Sequence, residues 1–498
     1  MNLVLEDPVK LRVEIDAEHE TSLRQALTYT NKAKVYELAR LKKNPWFVNQ
    51  HGEEAYAEKL AELKAETKVC LLKEDSKGLW TYSGLLDRLM KNGFLKYQSR
   101  VKYPEAVGMP WDKVPKFNDR YYQKQMHDNL ISVRHGAVEV GTGLGKSQVI
   151  RNLTRTLGLK TLVVAPSKSI AKMLYSDFAE HFGRKKVGLY GDGKKDAKKQ
   201  IVVGLFQSLC RVEENSPDWK ELKKTEALIV DESHLTPAST LKQVCEGLAA
   251  NTPYRFFFSG TQMRNDGADL LLEGIIGPVV YSMDVKRGVD EGFLSKPNFF
   301  VVDMVSPYSY LSNNPDAMLD RHFYSNAAMY KRAADIANKS VALLGHQVLI
   351  LIDEVTQFQH IWPHLRHQVG FAHGGLTKTN RTTVPEQFWK DDPDELVARL
   401  NAGDLPILVG TSCISIGTDI RTPKTLINLQ GGTSEVKIRQ AIGRGTRREN
   451  GVKEEFNYFD FRMRVKSPAD PDFEAITERH ARIRESIYHD VYPSVKVI

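Results

Sequence analysis

The sequence predicts an α/β fold in which two parallel-sheet lobes follow a small α+β domain. The chain has 498 residues, which at roughly 150 residues per domain leaves room for about three domains. From Phe117 onward, short apolar runs alternate with helical patterns, and this alternation indicates parallel strands joined by helices. The runs are continuously apolar, as expected of strands that are buried on both faces of a sheet.

The segment before the lobes mixes strand and helix patterns and is long enough for a small domain. Its predicted elements are a strand at Val9–Ile15, a helix at Glu18–Tyr29, a highly charged helix at Glu53–Thr67, a strand at Lys68–Leu72 and an amphipathic helix at Ser83–Asn92. Three prolines predict a linker after this domain, namely Pro104, Pro110 and Pro115. We place this domain at residues 1–114.

The apolar runs predict the strands of the two lobes. Those of the first lobe are Gly136–Val140, Thr161–Ala165, Ile201–Gly204, Ala227–Val230 and Arg255–Phe258. Those of the second lobe are Asn298–Met304, Val348–Ile352, Val369–Ala372, Ile407–Val409, Thr425–Leu429 and Asn457–Phe461. We place the lobes at residues 115–296 and 297–465. The tail, 466–498, is predicted to be helical at Asp472–Ile487 and to end in an irregular segment.

A glycine-rich loop follows the first strand of the first lobe. The residues that we expect to cradle the phosphates of a nucleotide are Gly141, Thr142, Gly143, Leu144, Gly145, Lys146 and Ser147. Glycines let such a loop turn back so that its N–H groups point inward. Lys146 would reach the β- and γ-phosphates and Ser147 would bind Mg²⁺. The strict phosphate-loop pattern has glycine at Val140, so the match is to the Gly-Lys-Ser half.

Two carboxylates follow a buried strand farther along the chain. Asp231 and Glu232 come directly after Ala227–Val230, and open α/β sheets bind ligands at the carboxyl ends of their strands. We expect Asp231 to hold Mg²⁺ and Glu232 to orient and deprotonate a water, since phosphoryl transfer depends on positioning and charge neutralisation. A solvated acidic turn is the alternative, and the phosphate loop upstream argues against it.

Composition and charge are those of a globular protein with a basic surface. Apolar residues make up 41% of the chain, charged residues 27%, and the net charge is +8, which is compatible with a phosphate-rich partner. The cysteines, at 70, 210, 245 and 413, lack metal-binding spacing and are expected to be reduced. No segment has the pattern of a membrane span or a signal peptide. We therefore expect a cytoplasmic protein, in the host-cell cytoplasm if the chain is viral.

A basic segment in the second lobe offers positive charge. Arg444 and Arg447 stand three residues apart, so on one helical turn both guanidinium groups would face the same way. Such planar donors suit the oxygens of a phosphoryl group in transfer. A solvated basic patch or a contact with a phosphate backbone is the alternative. The surrounding Gln-x-x-Gly-Arg-x-x-Arg pattern, from Gln440 to Arg447, favours a role at the nucleotide.

These motifs, in this order, resemble those of superfamily 2 helicases. The carboxylates continue into Ser233 and His234 as a DExH variant, and Gln440 to Arg447 resembles motif VI. The resemblance implies two RecA-like lobes that close on one ATP with Mg²⁺ and thereby translocate along a nucleic acid. Its remaining motifs are Ala165–Ser169 (Ia), Val203–Ser208, Ser259–Thr261 (III), Val409–Thr411 and Gly417–Asp419 (V).

The resemblance also assigns residues that contact the nucleotide. Residues 120–123 resemble the Q motif, whose glutamine reads the adenine edge, so Gln123 is carried over with Tyr122 or Phe117 as a stacking partner. Gly417 and Asp419 of motif V are carried over as further contacts.

Finer similarity points to one branch of the family. Arg264–Gly267 and Glu291–Leu294, together with the front domain, are similar to phage UvsW-type DNA helicases and their XPB- and RecG-like relatives. This implies a DNA-binding front domain and a motor that branch-migrates forks and Holliday junctions in replication, recombination and repair. It also implies 3′ to 5′ movement by a monomer.

Loops at strand ends are candidate DNA contacts, because they can bind phosphates without reading sequence. The candidates are Ser167, Lys168, Gln207, Ser208, His373, Gly374, Thr411 and Ser412. For serine and threonine, capping of the following helix is an equal alternative.

The segment at residues 376–402 makes this part of the chain longer than the family pattern and is interpreted as an insertion. It contains Phe388 and Trp389 beside a lysine. Aromatic residues beside basic ones suit base stacking. This insertion, or the stretch Asn44–Phe47, is therefore a candidate strand separator. Packing of both rings onto the lobe is the favoured alternative.

Three other functions stay open. The motif core does not separate a DNA helicase from an RNA helicase, and only the front domain and Arg264–Gly267 favour DNA. A nucleic-acid-binding scaffold with an inactive motor is opposed by an intact set of motor residues, namely Lys146, Asp231, Glu232, Arg444 and Arg447. The motor subunit of a restriction system would need a nuclease or methyltransferase partner, and the sequence shows no nuclease motif.

Overall fold

The computed structural model describes residues 2–94, 96–108, 120–233, 238–260, 269–309, 311–414, 420–448, 453–467 and 473–498. The chain divides into two compact units. The first comprises Met1–Glu139 and Lys146–Ser282, and the second comprises Val140–Gly145 and Met283–Ile498. The predicted α/β class is confirmed, since each unit is built on a parallel sheet. The division into four domains stays a prediction.

The N-terminal part of the first unit is a five-stranded sheet with helices. Its elements are β1 (Asn2–Leu5), β2 (Lys10–Glu14), α1 (Ala17–Ala26), β3 (Thr28–Thr30), α2 (Lys32–Lys42), α3 (Pro45–Glu66), β4 (Lys68–Cys70), β5 (Lys73–Asp75), β6 (Gly78–Tyr82), α4 (Leu86–Lys91) and β7 (Lys96–Ser99). The sheet order is β5-β6-β2-β1-β7, and β3 pairs with β4 apart from it. The charged helix predicted at Glu53–Thr67 is the second part of α3, which is kinked at Gly52 (φ +85°).

This sheet packs against the rest of the first unit. Arg88 on α4 forms an ion pair with Glu273, with 2.6 Å between Nη2 and Oε2. Gly84 lies so close to the backbone oxygens of residues 273 and 274 that a Cβ there would collide with them. The close approach of two backbones explains why glycine stands at this position.

The first lobe is a mostly parallel sheet between helices. Its elements are α5 (Tyr121–Val133), β8 (His135–Val140), α6 (Lys146–Leu157), β9 (Thr161–Ala165), α7 (Lys168–Phe182), β10 (Val187–Gly191), β11 (Lys194–Lys195), β12 (Ile201–Leu205), α8 (Phe206–Leu209), α9 (Pro217–Leu222), β13 (Ala227–Val230), α10 (Ala238–Glu246), β14 (Tyr254–Ser259), α11 (Asp269–Ile276) and β15 (Val279–Met283). The next helix, α12 (Val285–Asp290), belongs to the second unit. The order is β11-β10-β12-β9-β13-β14-β8-β15. The five predicted strands are confirmed, and β10, β11 and β15 are additional.

Parallel pairing brings the strand ends of this lobe to one edge. The strands β10, β12, β9, β13, β14 and β8 run in the same direction. The phosphate loop, the loop that begins at Pro166, Gln207 and the two carboxylates follow four of these strands. Residues far apart in sequence are thereby gathered at the carboxyl edge.

The second unit contains the second parallel sheet. Its elements are β16 (Lys296–Val305), α13 (Pro315–Leu319), α14 (Ala327–Leu344), β17 (Val348–Ile352), α15 (Phe358–Ile361), β18 (Val369–Ala372), α16 (Pro393–Ala402), β19 (Ile407–Gly410), β20 (Thr425–Leu429), α17 (Glu435–Thr446), β21 (Glu455–Arg464), α18 (Ile476–Val491) and β22 (Val495–Val497). The order is β18-β19-β17-β20-β21-β16-β22, and the described pairings are parallel. The six predicted strands are confirmed.

The tail differs from its prediction in two ways. Its helix, α18, lies about one turn later than the predicted Asp472–Ile487. The end of the chain is not irregular, because β22 adds to β16 as an edge strand and the N–H of Ile498 donates to the carbonyl of Val301 at 2.9 Å. Three residues are too few for an alternating pattern to predict a strand.

A buried polar network fastens α18 to β21. Arg484 Nε donates to Asp460 Oδ2 at 2.8 Å, and the hydroxyl of Tyr488 donates to the same oxygen at 2.8 Å. Arg484 Nη2 donates to the carbonyl of Phe461 at 3.0 Å. The tail helix is therefore part of the core of the second unit.

Two further properties bear on the sequence predictions. The four cysteines carry free thiols, as predicted. A search of the described helices for one that is long and apolar enough to span a bilayer finds none.

Candidate functional site

The glycine-rich loop connects β8 to α6. Gly143 and Gly145 have φ angles of +91° and +82°, in the left-handed region that glycine adopts without a Cβ penalty. Gly141 meets a different constraint, because a Cβ there would lie 2.9 Å from Cγ2 of Val285. The predicted turn of the backbone is thus present. Positive φ angles explain the glycines at 143 and 145, and the nearby Val285 side chain explains the glycine at 141.

Lys146, the first residue of α6, forms an ion pair with Glu232. Nζ of the lysine lies 2.7 Å from Oε1 of the glutamate, and the two side chains are 10% and 18% exposed. Gly260, at the end of β14, is next to this ammonium, since a Cβ there would lie 3.9 Å from Nζ. The lysine expected to bind phosphate and the carboxylate expected to activate water therefore bind each other in this structure.

Glu232 has a strained backbone. Its φ is +48°, in a region that costs a residue other than glycine about 1–2 kcal/mol. Its N–H donates to Asp231 Oδ1 at 3.0 Å, a local bond that supports this conformation. Residues held in this way are concentrated at active sites.

Asp231 is buried at the end of β13. Burial and, next, the charge of Glu232 raise the pKa of Asp231 to about 7, while Lys146 opposes the shift. A buried carboxyl of this kind gains from a nearby cation. Among the described residues no cluster of three His, Cys, Asp or Glu side chains could hold a metal. Asp231, the Ser147 hydroxyl, phosphate oxygens and water are the oxygen ligands that Mg²⁺ prefers, so the residues fit this ion.

The start of α5 carries the residues predicted to meet adenine. Gln123 and Tyr122 are buried, and Arg120 Nη1 donates to the Tyr122 hydroxyl at 3.2 Å. The neighbouring Tyr121 is 43% exposed, and its ring meets that of Tyr122 edge-on at a centroid distance of 5.9 Å. The roles of Gln123 and Tyr122 stay predictions. Phe117, the other predicted stacking partner, lies outside the described residues.

The two arginines of motif VI lie at the end of α17, and their shared role at the nucleotide stays a prediction. Helix α17 ends at Thr446, Arg444 is buried in its last turn, and Arg447 is the C-cap with a ψ of 131°. Its φ of −60° is a helical value, so its Cβ leaves the backbone in the direction that a further helical residue would have.

The second unit, which includes residues 140–145, also brings motif VI to the phosphate loop. A Cβ on Gly143 would lie 3.3 Å from Cγ of Arg447, and a Cβ on Gly443 would collide with Thr142. Glycines on both segments therefore permit a close approach.

The candidate DNA contacts of the first unit lie at the carboxyl edge of its sheet. Ser167 is the N-cap of α7 and accepts from the N–H of Ile170 at 3.3 Å, so the capping alternative is observed. Lys168 forms an ion pair with Asp192 at 2.9 Å. Gln207 is exposed and Ser208 is half-buried. Their contact with DNA stays a prediction.

Two of the four candidate DNA contacts of the second unit have buried side chains, and contact of the four with DNA stays a prediction. His373 is buried, its Nε2 bonds to the carbonyl of Phe388 at 3.1 Å and its Nδ1 accepts from the N–H of Gly375 at 3.2 Å. Thr411 is also buried, and its N–H donates to the carbonyl of residue 372 at 3.2 Å. Gly374 is exposed and, without a side chain, leaves room for the backbone of a nucleic acid. Ser412 begins a short 3₁₀ turn, and its side chain is outside the described part.

The insertion places its aromatic rings in the core. Phe388 is buried, and its ring makes edge contacts with those of Phe358 and Trp362 at centroid distances of 4.9 and 5.6 Å. Trp389 packs against the same cluster, and its Nε1 donates to the carbonyl of Val384 at 2.8 Å. These contacts favour packing over the DNA contact predicted for both rings.

Some predicted residues fall outside the described residues. They are His234, Thr261, Arg264–Gly267, Gly417 and Asp419. The hairpin turn at Asp192 and Gly193, beside Lys168, was also not predicted. An Asp-Gly dipeptide between apolar and polar runs is a strong signal for such a turn.

Two family models match the chain. The model "Type III restriction enzyme, res subunit" matches residues 116–264, which include the phosphate loop and the carboxylates. The model "Helicase conserved C-terminal domain" matches residues 335–449, which include Arg444 and Arg447.

Similar proteins come from a virus and an archaeon. A presumed helicase, number 22, of the Sulfolobus islandicus filamentous virus is 22% identical over 413 residues, 76% of this chain and 70% of the relative. The DNA 3′-5′ translocase XPB2 of Sulfurisphaera tokodaii is 25% identical over 207 residues, 40% of this chain and 44% of the relative. The chain thus spans less than half of the archaeal protein.

A solved structure supports the fold alone. A fragment of a presumed HsdR subunit of a type I restriction enzyme from Vibrio vulnificus YJ016 has a TM-score of 0.53 and 16% identity. The match covers 84% of this chain and 71% of that one. The family models on each lobe, the order of the motifs and the two parallel sheets together identify the chain as a superfamily 2 helicase.

Proposed function

We propose that this helicase is an ATP-driven motor that moves along DNA and remodels branched duplexes such as forks and four-way junctions. The observation that carries the proposal is the cluster of Lys146, Glu232 and Asp231 at the carboxyl edge of the first lobe. It combines a paired lysine, a strained glutamate and a buried carboxyl with a raised pKa. We expect it to act in the cytoplasm, that of a host cell if the chain is viral.

In this proposal the loop and the carboxylates hold ATP and Mg²⁺. The N–H groups of residues 141–145 wrap the phosphates, and Asp231 and Ser147 hold the ion. Bound Mg²⁺ neutralises phosphate charge. Lys146 exchanges Glu232 for a phosphate oxygen, which frees the glutamate to orient a water and accept its proton. ATP binding and the release of the base are then one event.

Arg444 and Arg447 supply the remaining positive charge. A Cβ built on Gly143 would lie 3.3 Å from Cγ of Arg447, and this closeness supports a role at the phosphates, because it brings the arginine side chain to the phosphate loop. Arginines in this role change turnover by roughly 10³–10⁵-fold.

DNA is favoured over RNA as the polymer. The archaeal relative is by name a DNA translocase, and the net charge of +8 suits a polyanion of either kind. Two observations support the alternative of a restriction motor: the match to the res-subunit family model and the likeness in fold to the HsdR fragment. A motor of that kind translocates on linear duplex and needs no junction.

A substrate panel tests the proposal. Wild-type protein and Lys146→Ala receive ATP and, in turn, forks, three-way and four-way junctions, linear duplex and structured RNA, with strand exchange followed on gels. We expect the wild type to process forks and junctions and Lys146→Ala to process none. ATP hydrolysis on linear duplex with intact junctions would support the restriction motor instead. RNA unwinding alone would support an RNA helicase, and binding without hydrolysis would support a scaffold.

A further inference from the structure

A basic hairpin forms one edge of the sheet in the first lobe. Strand β10 turns at Asp192 and Gly193 into β11, which places Lys195 opposite Tyr190. Both turn residues have positive φ angles, +51° and +83°, as in the type I′ turns of two-residue hairpins. The hairpin therefore has a defined geometry.

The charge of this segment is concentrated. Residues 184–199 carry seven basic and two acidic side chains, a net charge of +5, whereas the whole chain has +8. We call the basic set the basic edge, and its members are Arg184, Lys185, Lys186, Lys194, Lys195, Lys198 and Lys199. Six are exposed and Lys199 is half-buried.

The basic edge runs along the whole of β10. At one end, the carboxylate of Asp192 binds Lys168 at 2.9 Å and Lys172 at 3.1 Å, which fixes the turn beside the candidate DNA contacts of α7. At the other end, Lys199 Nζ donates to the carbonyl of Lys185 at 3.2 Å. The five residues of β10 span about 17 Å at roughly 3.3 Å per residue. The charge thus leads away from the carboxyl edge of the sheet.

We propose that the basic edge binds the phosphate backbones of duplex DNA, next to the strand that the motif loops are proposed to hold. This inference rests on the proposed function. Duplex DNA carries one charge per about 1.7 Å of axis, so a stripe of this length faces on the order of ten phosphates. Lysine binds phosphate as a point charge and reads no sequence.

Single-stranded DNA fits this surface less well. Single strands are held by stacking on open aromatic rings. Residues 168–200 are all described, and neither of the two tyrosines among them is exposed, since Tyr190 is buried and Tyr175 is half-buried. Lys194 Nζ lies 5.5 Å from the ring centroid of Tyr175, and Tyr190 is buried with its hydroxyl bonded to Asp218 at 3.1 Å.

Protection of a sheet edge is the competing explanation, since exposed edge strands often carry lysine. Strand β11 has only two residues, and the basic side chains continue beyond it on both sides. A duplex therefore explains more of these residues than edge protection does.

The test compares two quadruple variants of the intact chain. One carries Lys185→Ala, Lys186→Ala, Lys195→Ala and Lys198→Ala. Its matched control removes the same charge from exposed lysines elsewhere, with Lys220→Ala, Lys224→Ala, Lys331→Ala and Lys339→Ala. Binding of a duplex and a single strand of about 30 nucleotides is measured over a range of salt concentrations.

We expect the slope of log affinity against log salt for the duplex to fall by about 3 to 4 in the first variant, at 0.9 per lost phosphate contact. Its duplex affinity near 0.15 M salt falls at least about tenfold, while single-strand affinity stays within about twofold. The control keeps the wild-type slope, and so does a third variant with arginine at the four positions.

Either of two results would overturn the inference: a duplex slope equal to that of the control, or an equal loss for single and double strands. Failure of the proposed function has a different signature, because the wild type would then hydrolyse no ATP with any nucleic acid while the binding comparison could still be made.

Discussion

Two ion pairs, one in each unit, use similar chemistry in opposite ways. Arg484 and Asp460 in the second unit are 1% and 0% exposed, and both make further hydrogen bonds within the core. Lys146 and Glu232 in the first unit are partly exposed, and the glutamate combines a φ of +48° with a neighbouring carboxyl, Asp231. The satisfied pair is built for stability. The strained pair can exchange partners, which is what a reaction site requires.

The largest expected effect comes from removing the charge of the strained pair. Glu232→Gln should lower kcat for ATP hydrolysis by about 10²–10⁴-fold, the usual contribution of a general base. The free energy of unfolding should change by no more than about 1 kcal/mol, because the repulsion between Glu232 and Asp231 disappears together with the ion pair. Steady-state phosphate release and denaturant unfolding measure the two quantities.

A surface glutamate of the same unit provides the control. Glu62 is exposed and pairs with Lys59 at 2.6 Å, and Glu62→Gln should leave kcat within about twofold, as expected for an exposed pair. If Glu232→Gln turned over ATP as fast as this control, the assignment of Glu232 as the base would be wrong.

The satisfied pair should show the opposite profile. Arg484→Met leaves the Asp460 carboxylate buried without its cation, which should lower the free energy of unfolding of the second unit by about 3–5 kcal/mol. ATP hydrolysis per folded molecule should stay near wild type. Urea unfolding gives the first value and active-site-normalised turnover the second.

The matched control lies two positions earlier in the same helix, on the face that is open to solvent. Arg482 is 69% exposed and pairs with Glu474, so Arg482→Met should cost less than about 0.5 kcal/mol. Equal losses for the two arginine variants would remove the contrast on which this comparison depends.

The aromatic rings of the insertion extend the comparison to apolar residues. Trp389→Ala should lower the free energy of unfolding by about 2 kcal/mol, through lost packing and the lost hydrogen bond to Val384. Trp46, which is 59% exposed, should cost less than about 0.5 kcal/mol when changed to alanine. A loss of junction unwinding by folded Trp389→Ala protein would restore the strand-separator hypothesis.

The smallest effect is a pH dependence from Asp231. Its pKa is raised in the fold to about 7, so its contribution to stability is fully present below the unfolded value and is lost as the pH rises through 7. Between pH 6 and 8 the free energy of unfolding should fall by about 1 kcal/mol more in the wild type than in Asp231→Asn. Parallel curves for the two proteins would mean that Asp231 titrates as an ordinary carboxyl.

The sequence predicts the sheets well where the apolar runs are continuous. Thr161–Ala165 and Val348–Ile352 are strands over the predicted residues, because a strand that is buried on both faces must be apolar throughout. Strand β10 was missed because Gly188 and Gly191 interrupt its apolar run. Both glycines are explained by contacts in the fold, since a Cβ at either position would lie within 3 Å of a neighbouring segment.

The candidate site shows the same limit. The motifs give the residue types and their order, and parallel strands then bring them to one edge. The left-handed φ of Glu232 and its pairing with Lys146 depend on tertiary contacts, so no local pattern predicts them. Phe388 beside basic residues could stack on bases or fill a core, and only its neighbours decide between the two.

The most direct test of the central claim is steady-state ATP hydrolysis by the intact chain with Mg²⁺, with and without DNA, beside Lys146→Ala and Arg444→Ala. If Lys146 and Arg444 act on the same ATP, either substitution should lower hydrolysis by at least about 10²-fold. We also expect DNA to stimulate wild-type hydrolysis by about tenfold or more. A wild-type chain that hydrolyses no ATP with any polynucleotide, or an Arg444→Ala variant with wild-type turnover, would contradict the account.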